Sequence, residues 1–426
     1  MTHPRQPSLD PATLAAWLHD ARARTLGLVA DLTDEQLMGP QLPTVNPLLW
    51  EIGHVAWFQE KWVLRRAGQA SVRADADSLY DSAAIAHDVR WDLPLPRRSD
   101  TLAYMQRVQD RVLDRIDRGL NEHDSYFVQL AIFHEDMHAE AFAITRQTLG
   151  YPAPCVARET ASAAGSLSGD AHLAGGTYLL GASDKEPFAF DNEKWAHPVE
   201  LAPFAIARAP VTQSEFAAFV EDGGYKRQEL WTQEGWAWRT QRRAEHPVYW
   251  RRTPDGWERR AFDRWDPLEA HWPMVHVNWH EANAWCRWAG RRLPTEAEWE
   301  LAASSFEKHR YPWGDALPDA DRANLDARRL ECVNVAAFPA GDSPFGCRQM
   351  IGNVWEWTAD KFAPYPSFVV DPYKEYSEPW FGNHKVLRGG SWATPGRLLR
   401  NTWRNFYLPH RADMWAGFRT CAKDVS

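Results

Sequence analysis

The chain has 426 residues, of which 44% are hydrophobic and 25% charged, a composition typical of folded proteins that excludes intrinsic disorder and collagen-like repeats. At about 100–200 residues per domain, this length predicts two or three domains. Acidic residues outnumber basic ones by 57 to 48, which argues against a nucleic acid or an anionic membrane surface as partner.

Neither a membrane span nor an export signal is expected. The longest apolar runs, such as residues 128–133, are far shorter than the ~20 residues that a membrane-spanning helix needs. Residues 1–10 are polar and contain proline, unlike the apolar core of a signal peptide. The five cysteines are scattered and odd in number, which fits a reducing compartment. We therefore predict a cytoplasmic protein.

Residues 1–155 carry the pattern of four helices. Asp10-Pro11 and Asn46-Pro47 each place a capping side chain and a first-turn proline before an amphipathic run. Two further runs begin near residues 100 and 124. Because only the second and third runs are separated by a long connection, we predict an antiparallel four-helix bundle with one crossover.

The composition changes after residue 155. Residues 156–172 are mostly small and polar without a period, which is typical of a linker. Residues 173–426 combine short β-like stretches with many Gly, Pro and Trp residues, and they predict a loop-rich α+β domain. Within it we expect helices over 212–221 and 279–289, and a third from Thr295, where Thr-x-x-Glu forms a capping box.

Three histidines of the first domain are candidate metal ligands. His134 and His138 are four residues apart, so on a helix both imidazoles can reach one ion. His54, in the second predicted helix, offers a third, and bundles commonly build metal sites from facing helices. Three neutral ligands suit an iron(II) centre that binds substrate and dioxygen together. Two alternatives remain at this point: histidines packed in the core, and a zinc protease of the H-E-x-x-H type with Glu135 as general base.

A series of motifs runs in order along the whole chain: NPLLWEIGHVAWFQEKWVLR, HEDMHAEAF, GGTYLLG, PVTQSEFAAFV, RRLPTEAEWELAA, YPWGD, GNVWEWTAD, LRGGSW and GFR. Together they resemble the sulfoxide synthase family of ergothioneine biosynthesis. The resemblance implies a DinB-like four-helix bundle followed by a domain with the C-type-lectin-like fold of formylglycine-generating enzymes. It also implies a non-heme iron enzyme that uses dioxygen on hercynine (N-α-trimethylhistidine), with His54, His134 and His138 as ligands.

The resemblance further implies catalytic and substrate-contacting residues in the second domain. A tyrosine there supplies a proton or a hydrogen atom to the oxygen intermediate, and the segment DPYKEYSEPWFG offers Tyr373 and Tyr376. The sequence does not choose between them. Asn405 and Phe406 fall where the family contacts hercynine, whose trimethylammonium group needs a cation–π surface or a carbonyl because it has no donor hydrogens.

Several positions depart from the mycobacterial-type enzymes, which hold the carboxylates of γ-glutamylcysteine with two arginines and an aspartate. Arg90 keeps one arginine, whereas His87 and Tyr407 replace the other arginine and the aspartate, and Met137 replaces a glutamine. The change removes two charge-assisted contacts of ~1.5–3 kcal/mol each. The segments around the histidines look most like the selenoneine synthase branch. We therefore expect a selenosugar donor and a carbon–selenium bond, with carbon–sulfur bond formation from a thiol such as γ-glutamylcysteine or cysteine as the alternative.

The sequence also bears on two other functions, formylglycine generation and non-catalytic ligand binding. Formylglycine generation uses a cysteine pair soon after the GGS turn, and the stretch GGSWATPGRLLRNTWRNF contains no cysteine. A non-catalytic binding module with structural histidines would bind no metal. The motifs GNVWEWTAD and RGGSW are expected to build the scaffold rather than to carry chemistry.

Overall fold

The computed structural model describes residues 9–155 and 165–423. Residues 156–164, more than half of the predicted linker, lie outside the described residues, as do residues 1–8 of the N-terminal stretch. Across the two described ranges, no helix has the length and apolar character required to cross a membrane.

The chain forms two compact units. The first comprises Met1–Val156 together with Asp184–Phe188, and the second comprises Ala157–Ser183 and Ala189–Ser426. The return of a short later segment to the first unit is not predicted by the sequence. Within that unit the ring of Phe188 stacks on Tyr126, with 5.2 Å between ring centroids.

The first unit is helical. Its helices are α1 (Pro11–Val29), α2 (Asp34–Met38), α3 (Leu48–Gln59), α4 (Ala76–Tyr80), α5 (Arg98–Asp117) and α6 (Glu122–Leu149). The four long helices correspond to the four predicted ones, and α2 and α4 are short additions. Helix α3 packs against α5 and α6, and α1 packs against α5 and α6 as well.

Local sequence explains the ends of α1 and α6. Asp10 caps α1 by accepting a hydrogen bond from the Thr13 backbone N–H at 3.0 Å. Asn121 caps α6 in the same way, and Gly150, in the left-handed conformation at φ 67°, ends it.

The predicted start and end of the second helix differ from the structure. Asn46 makes no cap for α3; its side-chain oxygen instead accepts from the Arg90 guanidinium at 2.7 Å. The regular helix ends at Gln59 and continues as a π-helical segment over Glu60–Arg65. Tertiary hydrogen bonding therefore decides details that the local pattern leaves open.

Among the described residues of the second unit, the strands form four small sheets. One has the order β1 (Asp170–Leu173), β4 (Phe204–Ala207), β13 (Cys421–Ala422), β8 (Arg291–Arg292), and another has the order β11 (Asn405–Tyr407), β10 (Lys385–Arg388), β9 (Trp355–Lys361), β12 (Ala416–Gly417). The other two pair β2 (Gly176–Leu180) with β3 (His197–Leu201), and β5 (Trp250–Thr253) with β6 (Gly256–Ala261) and β7 (Arg264–Pro267).

Four α-helices accompany these sheets in the described part of the unit: α7 (Gln213–Glu221), α8 (Gln233–Arg242), α9 (Trp279–Trp288) and α10 (Glu296–Ser304). The expected helices near 212, 279 and 295 are thus present, whereas α8 is not predicted. The predicted capping box of α10 is formed, since Thr295 accepts from the Glu298 backbone N–H and Glu298 accepts from the Thr295 backbone N–H.

Candidate functional site

Three imidazoles converge inside the first unit. His54 on α3 and His134 and His138 on α6 each place one ring nitrogen within 4.8 Å of the other two. The ring centroids of His134 and His138 are 4.5 Å apart, and His54 lies 5.1 Å from His134 and 5.0 Å from His138. The helix spacing and the packing of α3 on α6 produce the arrangement that the sequence predicts.

Two of the imidazoles each donate a hydrogen bond to an acceptor in the first unit. The Nδ1 atom of His54 donates to the Tyr80 backbone carbonyl at 2.8 Å. The Nδ1 atom of His138 donates to the Glu51 carboxylate at 2.6 Å. Because a carbonyl and a carboxylate only accept, Nδ1 of each ring carries a proton, and Nε2 is the nitrogen left to face a metal ion.

Aromatic side chains stack on two of the three imidazoles and fix the orientation of those rings. Trp50 stacks on His54 with 4.8 Å between centroids and 11° between planes, and Phe58 stacks on His134 at 3.6 Å and 5°. Burial, reinforced by the neighbouring imidazoles, holds the pKa of His54 and that of His134 well below the usual histidine value. Both rings are therefore neutral and keep a lone pair at physiological pH.

A divalent transition-metal ion fits this donor set. Imidazole nitrogens suit iron, copper, nickel and zinc, whereas magnesium and calcium prefer oxygen ligands. The acceptors behind His54 and His138 are the outer partners that metal-bound histidines usually have. Three ligands leave further coordination positions for other molecules.

Glu135 is engaged elsewhere. Its carboxylate accepts from the Arg22 guanidinium at 2.8 Å and from the Gln59 amide at 2.6 Å, and the residue is fully buried. A carboxylate held by these two donors is not placed to activate a water molecule. The zinc-protease alternative therefore loses its general base.

The second unit brings together several residues predicted to act in it. The Tyr376 hydroxyl accepts from the Trp403 indole at 3.0 Å, and its ring centroid lies 5.7 Å from that of Phe406 and 6.3 Å from that of Tyr373. Asn405 precedes Phe406 on β11, and its side-chain oxygen accepts from the Phe406 backbone N–H at 2.8 Å. Burial raises the pKa of Tyr376, so its phenol is protonated at neutral pH.

Comparison with known proteins covers both units. The DinB superfamily model matches residues 18–142, and the sulfatase-modifying factor enzyme 1-like domain matches residues 157–425. Hercynine oxygenase of Mycolicibacterium thermoresistibile is 38% identical over 424 residues, which are 96% of this chain and 94% of that protein. The hercynine oxygenase of Mycobacterium tuberculosis is also 38% identical, over 96% of this chain and 98% of its own. A formylglycine-generating enzyme of Streptomyces coelicolor is 35% identical and matches 64% of this chain and 96% of its own.

The chain belongs to the hercynine oxygenase family. It is therefore an oxidoreductase, and both the predicted family and the predicted fold class are confirmed. The non-catalytic binding module is correspondingly rejected. The match to the formylglycine-generating enzyme spans a smaller share of the chain than the match to the hercynine oxygenases.

The predicted donor-binding residues of this hercynine oxygenase family member have internal partners. The Arg90 guanidinium donates to the side chain of Asn46 and to the Ile85 carbonyl, and it stacks 4.1 Å above the Trp50 ring. Burial lowers the pKa of Arg90. His87 shares a 2.6 Å hydrogen bond between Nε2 and the backbone carbonyl of Val45.

The two remaining donor-site candidates lie in different units. Met137 is half-buried on α6, next to His138. Tyr407 is half-buried at the end of β11, and the Arg411 guanidinium lies 5.4 Å from its ring centroid. Their substrate contacts remain predictions.

Glu51 is the site residue that sequence reasoning missed. It lies on α3 three residues before His54, so both side chains point to the same helix face. Its carboxylate is almost completely buried. An acidic residue inside the apolar stretch LLWEIGHVAW is the signal that would have identified it.

Proposed function

We propose that this protein is an iron(II)-dependent and dioxygen-dependent hercynine oxygenase that joins the imidazole carbon of hercynine to the sulfur of a thiol. The convergence of His54, His134 and His138 carries the proposal. It is supported by relatives named hercynine oxygenase that match 96% of the chain.

The proposed reaction balances with one molecule each of hercynine, thiol and dioxygen. A C–H bond of the imidazole and the S–H bond break, and a C–S bond forms. One oxygen atom goes to sulfur as a sulfoxide, and the other leaves as water with both hydrogens. Bound iron(II) supplies the binding and reduction of dioxygen in this scheme.

The residues of the chain have separate tasks. His54 and His138 would hold the iron through Nε2, and His134 would hold it through one of its two ring nitrogens. We assign the proton donor to Tyr376 rather than Tyr373, because the Trp403 indole fixes its hydroxyl oxygen and burial keeps the phenol protonated. We assign the cation–π contact with the trimethylammonium group of hercynine to Phe406.

A carbon–selenium bond from a selenosugar, which the sequence alone favours, is the second candidate. The relatives' name, hercynine oxygenase, fits the thiol reaction, in which an oxygen atom is transferred to the product. What supports the selenosugar is that Arg90 is already bonded to Asn46 and Ile85, while His87 bonds to Val45. A donor carrying two carboxylates would have to compete with these partners.

Product analysis distinguishes the candidates. Anaerobically purified, iron-loaded protein is mixed with hercynine and with γ-glutamylcysteine, cysteine or a selenosugar, and then exposed to oxygen. We expect a sulfoxide adduct by mass spectrometry and oxygen consumption that requires hercynine. A selenium adduct without a sulfur adduct would establish the second candidate, and no product from any donor would refute both. Y376F should lose turnover, with Y373F as the matched control.

A further inference from the structure

One carboxylate anchors the segment that carries both candidate tyrosines, residues 371–377. The Oδ2 atom of Asp191 accepts a hydrogen bond from the backbone N–H of Asp371 at 3.1 Å and another from the hydroxyl of Ser377 at 2.7 Å. These donors lie at the two ends of the segment. Both tyrosines therefore fall between two contacts made by a single side chain.

The surroundings of this carboxylate are unusual for an acidic residue. Asp191 is 2% exposed, and both donors to it are neutral groups. A buried carboxylate without a cationic partner is costly, because the charged form loses its hydration. Burial accordingly raises the pKa of Asp191 to about 6. Such a cost points to a role that a neutral residue would not fill.

The same turn also supports one of the tyrosine rings. Phe190, the residue before Asp191, packs against Tyr376 with 4.4 Å between ring centroids. The hydroxyl of Tyr376 accepts from the Trp403 indole. The position of the phenol thus depends on the turn that contains Asp191 as well as on Trp403.

We propose that Asp191 is a positioning residue that holds the phenol of Tyr376 in its working place by anchoring residues 371–377. This inference rests on the proposed function, which makes Tyr376 the proton donor. Asp191 acts through the segment, and the sequence gives no sign of it because its partners lie about 180 positions away.

The charged and titratable groups around the turn are Glu193, Lys194, Asp371, Tyr376, Arg400 and Arg404. Most of them are already paired: Lys194 with Asp371 at 2.7 Å, and Glu193 with Arg400. Arg404 donates to the carbonyl of Asn192 rather than to the carboxylate.

The raised pKa of Asp191 gives the anchor a pH dependence. Above about pH 6 the carboxylate is ionised and accepts both hydrogen bonds strongly. Below that pH it becomes protonated, so both bonds weaken and the segment loosens. Turnover should therefore fall as the pH drops through about 6.

Hydrogen exchange of the full-length, metal-free protein tests the anchor without any assay of activity. We expect the 371–377 amides to exchange at least about tenfold faster in D191N than in the wild type at equal pH, since a buried acceptor is weakened. S377A removes one of the two bonds and should give a smaller increase. D342N is the control for an Asp-to-Asn change elsewhere in the same unit, because Asp342 accepts two hydrogen bonds from Arg348 rather than from residues 371–377.

Turnover with hercynine and a thiol tests the consequence. D191N should lower kcat by roughly ten- to a hundredfold at pH 7.5, as expected for a misplaced catalytic group, with KM for hercynine unchanged. It should also lose the acid limb of the pH profile near 6.

The outcomes separate the anchor from the reaction. A folded D191N or S377A protein whose amides over 371–377 exchange at the wild-type rate would overturn the inference. It would also be overturned if kcat and KM of D191N both fell while its pH profile stayed that of the wild type. Faster exchange in D191N with an inactive wild type would instead refute the proposed function and the catalytic role of the anchor.

Discussion

At the scale of single residues, two of the three candidate metal ligands differ in the group that accepts a hydrogen bond from their Nδ1 atom. His54 has a neutral backbone carbonyl, whereas His138 has the carboxylate of Glu51 at 2.6 Å. A carboxylate partner fixes the ring and makes it a stronger ligand. The sequence predicted His134 and His138 from their local spacing and His54 from the helical pattern around it, but it does not show that Glu51 pairs with His138, which is 87 positions away.

Replacing the Glu51 carboxylate tests its contribution to iron binding. We expect E51Q, which keeps the size of the side chain, to lower the affinity for iron(II) by roughly 10- to 100-fold. The measurement is anaerobic competition with a chromophoric chelator. E60Q is the control, since Glu60 is equally buried but bonds to Tyr104 and Ser71 instead of a histidine. Equal affinities for E51Q and the wild type would show that Glu51 does not support the ligand.

At the scale of elements, the sequence predicted those helices whose ends are set by neighbouring residues. The Asp10 cap and the Thr295 capping box are of this kind. The second helix was less predictable. Asn46 has the right side chain for a cap, but Arg90 takes its oxygen, and the π-helical segment begins where the buried Glu60 meets Tyr104. Such tertiary contacts leave no trace in a local pattern.

Gly53 shows how one element places a ligand. A Cβ atom at this position would lie 2.3 Å from the Tyr80 ring, whose residue provides the carbonyl behind His54. Alanine favours a helix by about 1 kcal/mol over glycine. G53A should nevertheless destabilise the protein by about 1–3 kcal/mol through overpacking, measured by urea unfolding of the metal-free protein.

A second substitution provides the control. In G53A/Y80L the smaller side chain removes the clash, so the double variant should be more stable than the sum of the single effects predicts. A G53A protein that is more stable than the wild type would mean that helix propensity outweighs the contact with Tyr80.

At the scale of the whole molecule, the second unit buries arginine–carboxylate pairs. Arg419 bonds to Glu356 at 2.6 Å, and Arg388 bonds to Glu296 at 3.0 Å. Glu356 lies in GNVWEWTAD and Arg388 in RGGSW, so these motifs stabilise the fold as the sequence predicted. Which arginine meets which glutamate could not be predicted, because Arg419 and Glu356 are 63 positions apart.

Arg419 allows this stabilisation to be measured. Both Arg419 and Glu356 are fully buried, and Glu356 also accepts from the Trp299 indole at 2.7 Å. R419M leaves the carboxylate with no guanidinium, so it should lower the free energy of unfolding by about 3–5 kcal/mol. R419M/E356Q removes the stranded charge while the amide oxygen can still accept from Trp299. The double variant should therefore be more stable than R419M in denaturant titrations, and a less stable one would show that hydrogen bonding, not the unpaired charge, sets the cost.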